Sequence, residues 1–151
     1  MDFRYEIYGV GWARARIRDG ASEVRLRASY LGDALGDLLE TLVYLLWGAE
    51  IAQCSWEEEP GEYRWIFRRS GSEVNLVILA LPDNFPRLPD DAGTQIYETN
   101  KPLVEVVTAI ADGAQRVLDE HGEAGYLAQW LDAPFPTDHL HLIRTLLAER
   151  L

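Results

Sequence analysis

Four glutamates crowd into the six-residue stretch EEEPGE, at Glu57, Glu58, Glu59 and Glu62. Trp56 stands directly before this stretch and Trp65 follows it, and Pro60-Gly61 predicts a turn between two strands. Because like charges held close together oppose one another's ionisation, such a cluster costs stability unless something neutralises it. We therefore expect a protruding tip that docks a basic partner or a cation, with Trp56 and Trp65 as apolar anchors. The alternative is a solvated loop that keeps an edge strand from pairing, with both tryptophans in the core.

A second candidate site consists of five arginines: Arg14, Arg16, Arg18, Arg25 and Arg27. They alternate along two predicted neighbouring strands, so their side chains project from one face of a sheet. Adjacent like charges are unfavourable there unless acids neutralise them, and the 57–62 loop or an anionic ligand could do so. Guanidinium groups suit phosphate and carboxylate recognition, so this face predicts a binder or enzyme for a small anion. Alternatively, Glu6 and Glu23 pair with the arginines and leave an ordinary solvated face.

Other residues that could do chemistry lack the spacing that a site needs. Asp33, Asp37, Glu40 and Tyr44 share one helical stripe, which could bind a divalent cation but is also typical of a solvated acidic face. Cys54 has no neighbouring histidine and is typical of a small buried residue. The sequence contains no GxSxG, P-loop, HExxH or CxxC motif. It therefore predicts no catalytic residue, no metal site and no cofactor.

The charge of the chain narrows the choice of partner. The net charge is −11, with 25 acidic and 14 basic residues, so nucleic acid is repelled and basic proteins are attracted. The distribution is uneven, because residues 1–31 hold six arginines and only four acidic residues. Lys101 is the only lysine among the basic residues, which suggests a bacterial coding sequence rich in G and C.

Length and hydropathy indicate one globular domain over residues 1–151. No apolar run approaches the ~18 residues of a membrane span, and the N-terminus has no pattern of a secretion signal. A single cysteine cannot form an internal disulfide. These features favour a cytoplasmic protein with no membrane contact.

The periodicities predict an α+β fold in the order ββ-α-βββ-ααα, with an antiparallel sheet of about five strands and helices packed on it. The first 30 residues are predicted to form a hairpin, with Gly9 and Gly11 inside its first strand as a bulge or bend. Residues 82–94 form a long loop, and 95–98 form a short strand or a lead-in to the helices. The remaining elements are a helix from Leu31 to Gly48, strands over 50–58, 62–69 and 73–81, and helices over 102–122, 124–131 and 137–151.

Taken together, these features predict a non-enzymatic protein-binding module that docks a basic partner. An acidic domain with no catalytic motif and an aromatic surface loop resembles, in general type, the small bacterial toxin-immunity proteins. That resemblance implies an inhibitor-like role against a basic toxin or nuclease. The alternatives are the anion binder described above and self-assembly, as in a homodimer, through an exposed strand edge.

Overall fold

A computed structural model of the chain describes residues 1–150. They form seven strands, a short 3-10 turn and three α-helices. In chain order these are β1 Asp2–Tyr8, β2 Trp12–Asp19, β3 Ser22–Ser29, α1 Ala34–Leu46, β4 Ile51–Glu57, β5 Glu62–Ser70, β6 Glu73–Leu81, the turn Asp90–Ala92, β7 Thr94–Pro102, α2 Leu103–Trp130 and α3 Thr137–Ala148. Within residues 1–150, no helix is long and apolar enough to cross a membrane.

The strands form two antiparallel sheets, one of β1–β2–β3 and one of β4–β5–β6–β7. This confirms the α+β class, with strands on both sides of α1 in the chain and the other helices after the last strand. The prediction of about five strands in one sheet is wrong, because the structure has three strands in the first sheet and four in the second.

The first additional strand comes from a turn that the sequence pattern hides. Gly9 and Gly11 have positive φ angles of 58° and 77°, which a residue with a Cβ adopts only with strain. They reverse the chain, so that Tyr8 pairs with Trp12 and Phe3 pairs with Ile17. The two glycines are therefore a hairpin turn and not a bulge within one strand.

The second additional strand is β7, which extends to Pro102 and pairs with β6 along its length. The predicted segment 95–98 therefore lies in the first half of a nine-residue edge strand. Beyond it, α2 has a break at Gly122, whose φ of 66° and ψ of 172° are not helical. The predicted interruption near residue 122 is thus confirmed.

One continuous hydrophobic cluster takes side chains from both sheets and from all three α-helices. A second, smaller cluster lies on the opposite face of the β4–β7 sheet, where Leu88 packs against Ile66, Val77, Leu79 and Leu81. Residues 82–94 therefore cover part of that outer face. Both faces of β5 and β6 are largely buried, which explains why EVNLVILAL in β6 is apolar on both sides.

Candidate functional site

An acidic groove of about 560 Å³ lies between α1 and β4. One stripe of α1 lines it, spaced at the three- and four-residue steps of a helix face: Asp37, Glu40, Thr41 and Tyr44. From β4 it is lined by five consecutive residues, 51–55, and by Glu57. Since successive strand residues point to opposite faces of a sheet, this lining shows that the groove follows the edge of β4.

The groove lining contains three side chains that are charged at neutral pH, and all three are acidic: Asp37, Glu40 and Glu57. Burial, together with the nearby charges of Asp33 and Glu40, raises the pKa of Asp37 to about 6. Burial also raises the pKa of Glu57, and the carboxylates of Glu62 and Glu59 add to that shift. Ionising these carboxyl groups therefore costs free energy, and a positively charged ligand would reduce that cost.

Three apolar side chains are exposed at the end of the groove where α1 leads into β4. Tyr44 is 48% exposed, Trp47 62% and Ile51 61%. The rings of Tyr44 and Trp47 meet edge to face with centroids 6.2 Å apart, and the Tyr44 hydroxyl donates to Glu40 at 3.0 Å. An exposed apolar patch beside partly buried carboxylates is the composition of a protein-binding surface, with an apolar anchor and a charged part.

The structure separates the four glutamates of the EEEPGE stretch. Glu57 lies in the groove, and Glu59 is exposed at the tip of the β4–β5 hairpin. Glu58 accepts a hydrogen bond from the Tyr63 hydroxyl at 3.2 Å. Glu62, however, is only 2% exposed, so the prediction that it belongs to the protruding tip is wrong.

Both tryptophans lie in the core, and neither is available as a surface anchor. Trp56 and Trp65 are fully buried, with ring centroids 4.9 Å apart. Their strand positions pair Trp56 with Tyr63 and Trp65 with Cys54, which places both indoles on the inner face of the sheet. The prediction that they anchor a partner is therefore wrong, and the alternative that assigned them to the core is confirmed.

Glu62 instead belongs to a buried ion pair on the outer face of the same sheet. Arg64, 1% exposed, donates to both carboxylate oxygens of Glu62 at 2.9 and 3.0 Å. It also donates to Asp90 at 2.6 Å and to the Leu88 carbonyl at 2.9 Å, so it holds the 82–94 loop on the sheet. Burial opposes ionisation of Glu62, but hydrogen bonds from Arg64 and Ser55 lower its pKa overall.

The five arginines do lie on one face, the outer face of the β1–β2–β3 sheet. The register places Arg14 opposite Arg27 and Arg16 opposite Arg25, and Arg4 joins them across from Arg16. Acidic neighbours share this face. The ion pairs join Arg14 to Glu6 at 3.6 Å, Arg16 and Arg18 to Glu23 at 3.4 and 3.3 Å, Arg25 to Glu23 at 3.6 Å, and Arg27 to Glu58 at 3.8 Å.

The expected neutralisation by the 57–62 loop is thus present in one contact, between Arg27 and Glu58. Six arginines nevertheless face only Asp2, Glu6 and Glu23 on the sheet itself. A shallow depression of about 220 Å³ is lined by four of these arginines and by one acid: Arg4, Arg14, Arg16, Arg25 and Glu6. The face therefore remains basic in a strongly acidic chain.

Two further candidates have structural roles. Asp33 caps the N-terminus of α1, where its carboxylate accepts from the Gly36 amide at 3.1 Å. Burial raises the pKa of Cys54 to about 12, so its thiol is unreactive at neutral pH. Over residues 1–150, no group of three or more His, Cys, Asp or Glu side chains is placed to hold a metal ion.

Asp37 and Glu40 are the site residues that sequence reasoning did not assign to a partner. Their helical spacing was visible, but it is equally typical of a solvated face. Nothing in the sequence shows that Asp37 and Glu40 lie beside β4, because the packing of α1 next to β4 is a tertiary contact. The usable signal was Tyr44 and Trp47, two large aromatic residues on or just after a helix that is otherwise apolar only towards the core.

No family model, no curated protein and no solved structure matches the chain.

Proposed function

We propose that this protein is a non-enzymatic protein-binding module that docks a basic protein partner through the groove between α1 and β4. The observation that carries the proposal is the groove lining, whose charged side chains are Asp37, Glu40 and Glu57. A role as an inhibitor-like or immunity-like protein in the bacterial cytoplasm is part of the proposal. The net charge of −11 supports a basic partner. The use of arginine in place of lysine supports a bacterial source, and the single cysteine supports the cytoplasm.

Electrostatics and exposure both favour a protein as the ligand. Burial and the nearby carboxylates of Asp33 and Glu40 raise the pKa of Asp37, and a lysine or arginine of the partner would offset this cost of ionisation. The exposed Tyr44, Trp47 and Ile51 extend the groove beyond what a small cation would contact. The charge of the whole chain would also accelerate association with a basic partner and make the rate sensitive to salt.

The test compares three forms of the full chain as bait in a pull-down from the source cells. The groove variant combines Asp37→Asn, Glu40→Gln and Glu57→Gln. The control combines Asp119→Asn, Glu120→Gln and Glu123→Gln, which are exposed on α2. The control removes the same three charges from residues of the same types, so long-range attraction changes equally in both.

We expect wild type and control to retain a stoichiometric basic protein that elutes at raised salt, and the groove variant to lose it. Each neutralised contact is worth about 1 kcal/mol or more in a partly desolvated interface, so three together abolish retention. Equal retention by all three forms would show that the groove is not the docking site.

A second candidate function, binding of a small anionic ligand, is favoured by one observation on the arginine face. Arg4, Arg16 and Arg25 form a row across all three strands, each directly opposite the next. Like charges placed so are unfavourable without a counter-charge. Asp2 and Glu23 supply part of that counter-charge. A bound phosphate or carboxylate would supply the rest, and inorganic tripolyphosphate is a suitable probe.

A further inference from the structure

Resting on the proposed function, we infer that the partner binds as an added β-strand: an extended basic segment that pairs with the free edge of β4. Peptides that add a strand to a sheet gain affinity from main-chain hydrogen bonds and specificity from alternate side chains.

The hydrogen-bond pattern shows which backbone groups of β4 are free. The Arg69 amide donates to the Glu50 carbonyl at 2.7 Å, and the Glu58 amide donates to the Gly61 carbonyl at 2.8 Å. In an antiparallel pair, hydrogen-bonded residues alternate, so the even-numbered residues of β4 bond to β5. The amides and carbonyls of Ile51, Gln53, Ser55 and Glu57 therefore point away from the sheet. Within residues 1–150, no strand pairs with them.

The other three sheet edges in residues 1–150 are protected against pairing. Strand β1 lies against α2, where Arg116 donates to the Phe3 carbonyl and Gly113 approaches it closely. Strand β3 presents charged residues along its length, and β7 combines Lys101, Pro102 and an irregular register with β6. Charges, proline and bulges are the usual devices that prevent edge pairing.

Strand β4 has no proline, lysine or bulge, and the helix α1 that packs beside it leaves an open groove along it. Its sequence IAQCSWE contains no proline and no lysine, its register with β5 is continuous, and its one charge is Glu57 at the end. An unprotected edge is unusual in a natural sheet unless a partner covers it. The groove supplies the space for that partner, since it runs along residues 51–55 with α1 as its opposite wall.

The charges of the groove select the occupant. Asp37, Glu40 and Glu57 favour lysine or arginine side chains on the added strand, while Tyr44, Trp47 and Ile51 favour an apolar residue at one end. A second copy of this chain fits poorly. Pairing two β4 edges about a twofold axis would bring two acidic grooves together, and like charges across an interface are unfavourable.

The test uses dodecapeptides selected from a random phage-displayed library on the full chain, with counter-selection on the groove variant D37N/E40Q/E57Q. We expect bound peptide to lower the hydrogen-exchange rate of four β4 amides by about tenfold or more: those of Ile51, Gln53, Ser55 and Glu57. The amides of Ala52, Cys54 and Trp56 bond to β5 already and should change little. N-methylation along the peptide should weaken binding about tenfold at every second residue only.

Each of the other outcomes would contradict either the mode of binding, the proposed function or the identity of the partner. Peptides that depend on the three acids but show no period-two sensitivity and no protection of the four amides would overturn the strand-addition mode and leave the proposed function intact. A library without peptides that prefer wild type over the groove variant would overturn both. If the same four amides are protected without peptide in a concentration-dependent dimer, the occupant is a second copy and the inference of a basic partner is wrong.

Discussion

At the scale of single residues, Asp37 shows that the groove stores unfavourable charge. Its pKa of about 6 results from burial first and from the carboxylates of Asp33 and Glu40 second. A carboxyl whose pKa is raised in the folded state prefers its proton there, so ionisation destabilises the fold. The penalty is absent below the unfolded value of about 3.9, grows as the pH rises and is complete above about pH 6.

Asp37→Asn should therefore stabilise the protein at neutral pH. We expect the free energy of unfolding at pH 7 to rise by about 2 kcal/mol or less, because solvent screens part of the repulsion. The gain should disappear by about pH 3, where Asp37 is protonated in both the folded and the unfolded state. Urea unfolding between those pH values measures it, with the exposed Asp119→Asn as control. A gain that is the same at both pH values would mean that the ionisation of Asp37 is not its cause.

At the scale of elements, the Arg64–Glu62 pair joins strand β5 to the 82–94 loop. Arg64 and Glu62 are buried, whereas the Asp90 side chain is 52% exposed. Removing one partner of a buried pair leaves the other charge without compensation, which costs far more than losing an exposed contact. The anchoring of the loop thus depends on Arg64 more than on Asp90.

Arg64→Met should lower the free energy of unfolding by about 3–5 kcal/mol, because it leaves the buried Glu62 carboxylate unpaired. Asp90→Asn should lower it by about 1 kcal/mol or less. Arg68→Met, at an exposed position of the same strand, is the matched control and should have little effect. Urea unfolding compares all three. Similar losses for Arg64→Met and Arg68→Met would show that the buried pair does not anchor the loop.

The elements also show how far the sequence could predict this structure. Period-two alternation identified the buried faces of β1 and β2 correctly, since Phe3, Tyr5, Ile7 and Ile17 are all in the core. The sequence pattern did not predict the turn between those strands. The buried residues stay at odd-numbered positions on both sides of Gly9 and Gly11, so the alternation continues unchanged through the reversal. The predicted strand over 95–98 was shorter than β7 because the sequence TQIYETNKP is polar at most positions, as is usual for an edge strand.

The site was only partly predictable, and the reason is the same for each miss. Alternation groups the side chains of a strand into two faces, but it does not show which face a distant segment covers. The inner face carries Trp56 and Trp65, and the outer face at Glu62 and Arg64 is covered by the 82–94 loop. The facing of Asp37 and Glu57 across the groove joins residues 20 positions apart, and no local pattern encodes that contact.

At the scale of the whole molecule, charge is segregated between two surfaces. The outer face of the β1–β2–β3 sheet holds six arginines and three acids, in a chain whose net charge is −11. The acidic groove lies between α1 and β4, and Glu57 in its lining directly precedes Glu58, which contacts Arg27. A polyanion is repelled by the molecule as a whole, so any affinity for the arginine face must come from short-range contacts.

Tripolyphosphate at millimolar concentration should raise the thermal unfolding midpoint if the arginine face binds anions. At ten times the dissociation constant the stabilisation is about 1.4 kcal/mol, which corresponds to several degrees in a chain of this length. The variant Arg16→Gln/Arg25→Gln should lose the shift because it interrupts the row of opposed arginines. The control Arg68→Gln/Arg87→Gln removes equal charge from exposed positions elsewhere and should keep it. No shift in wild type, or an equal shift in both variants, would assign the arginines to an ordinary solvated face whose charges Asp2, Glu6, Glu23 and Glu58 partly offset.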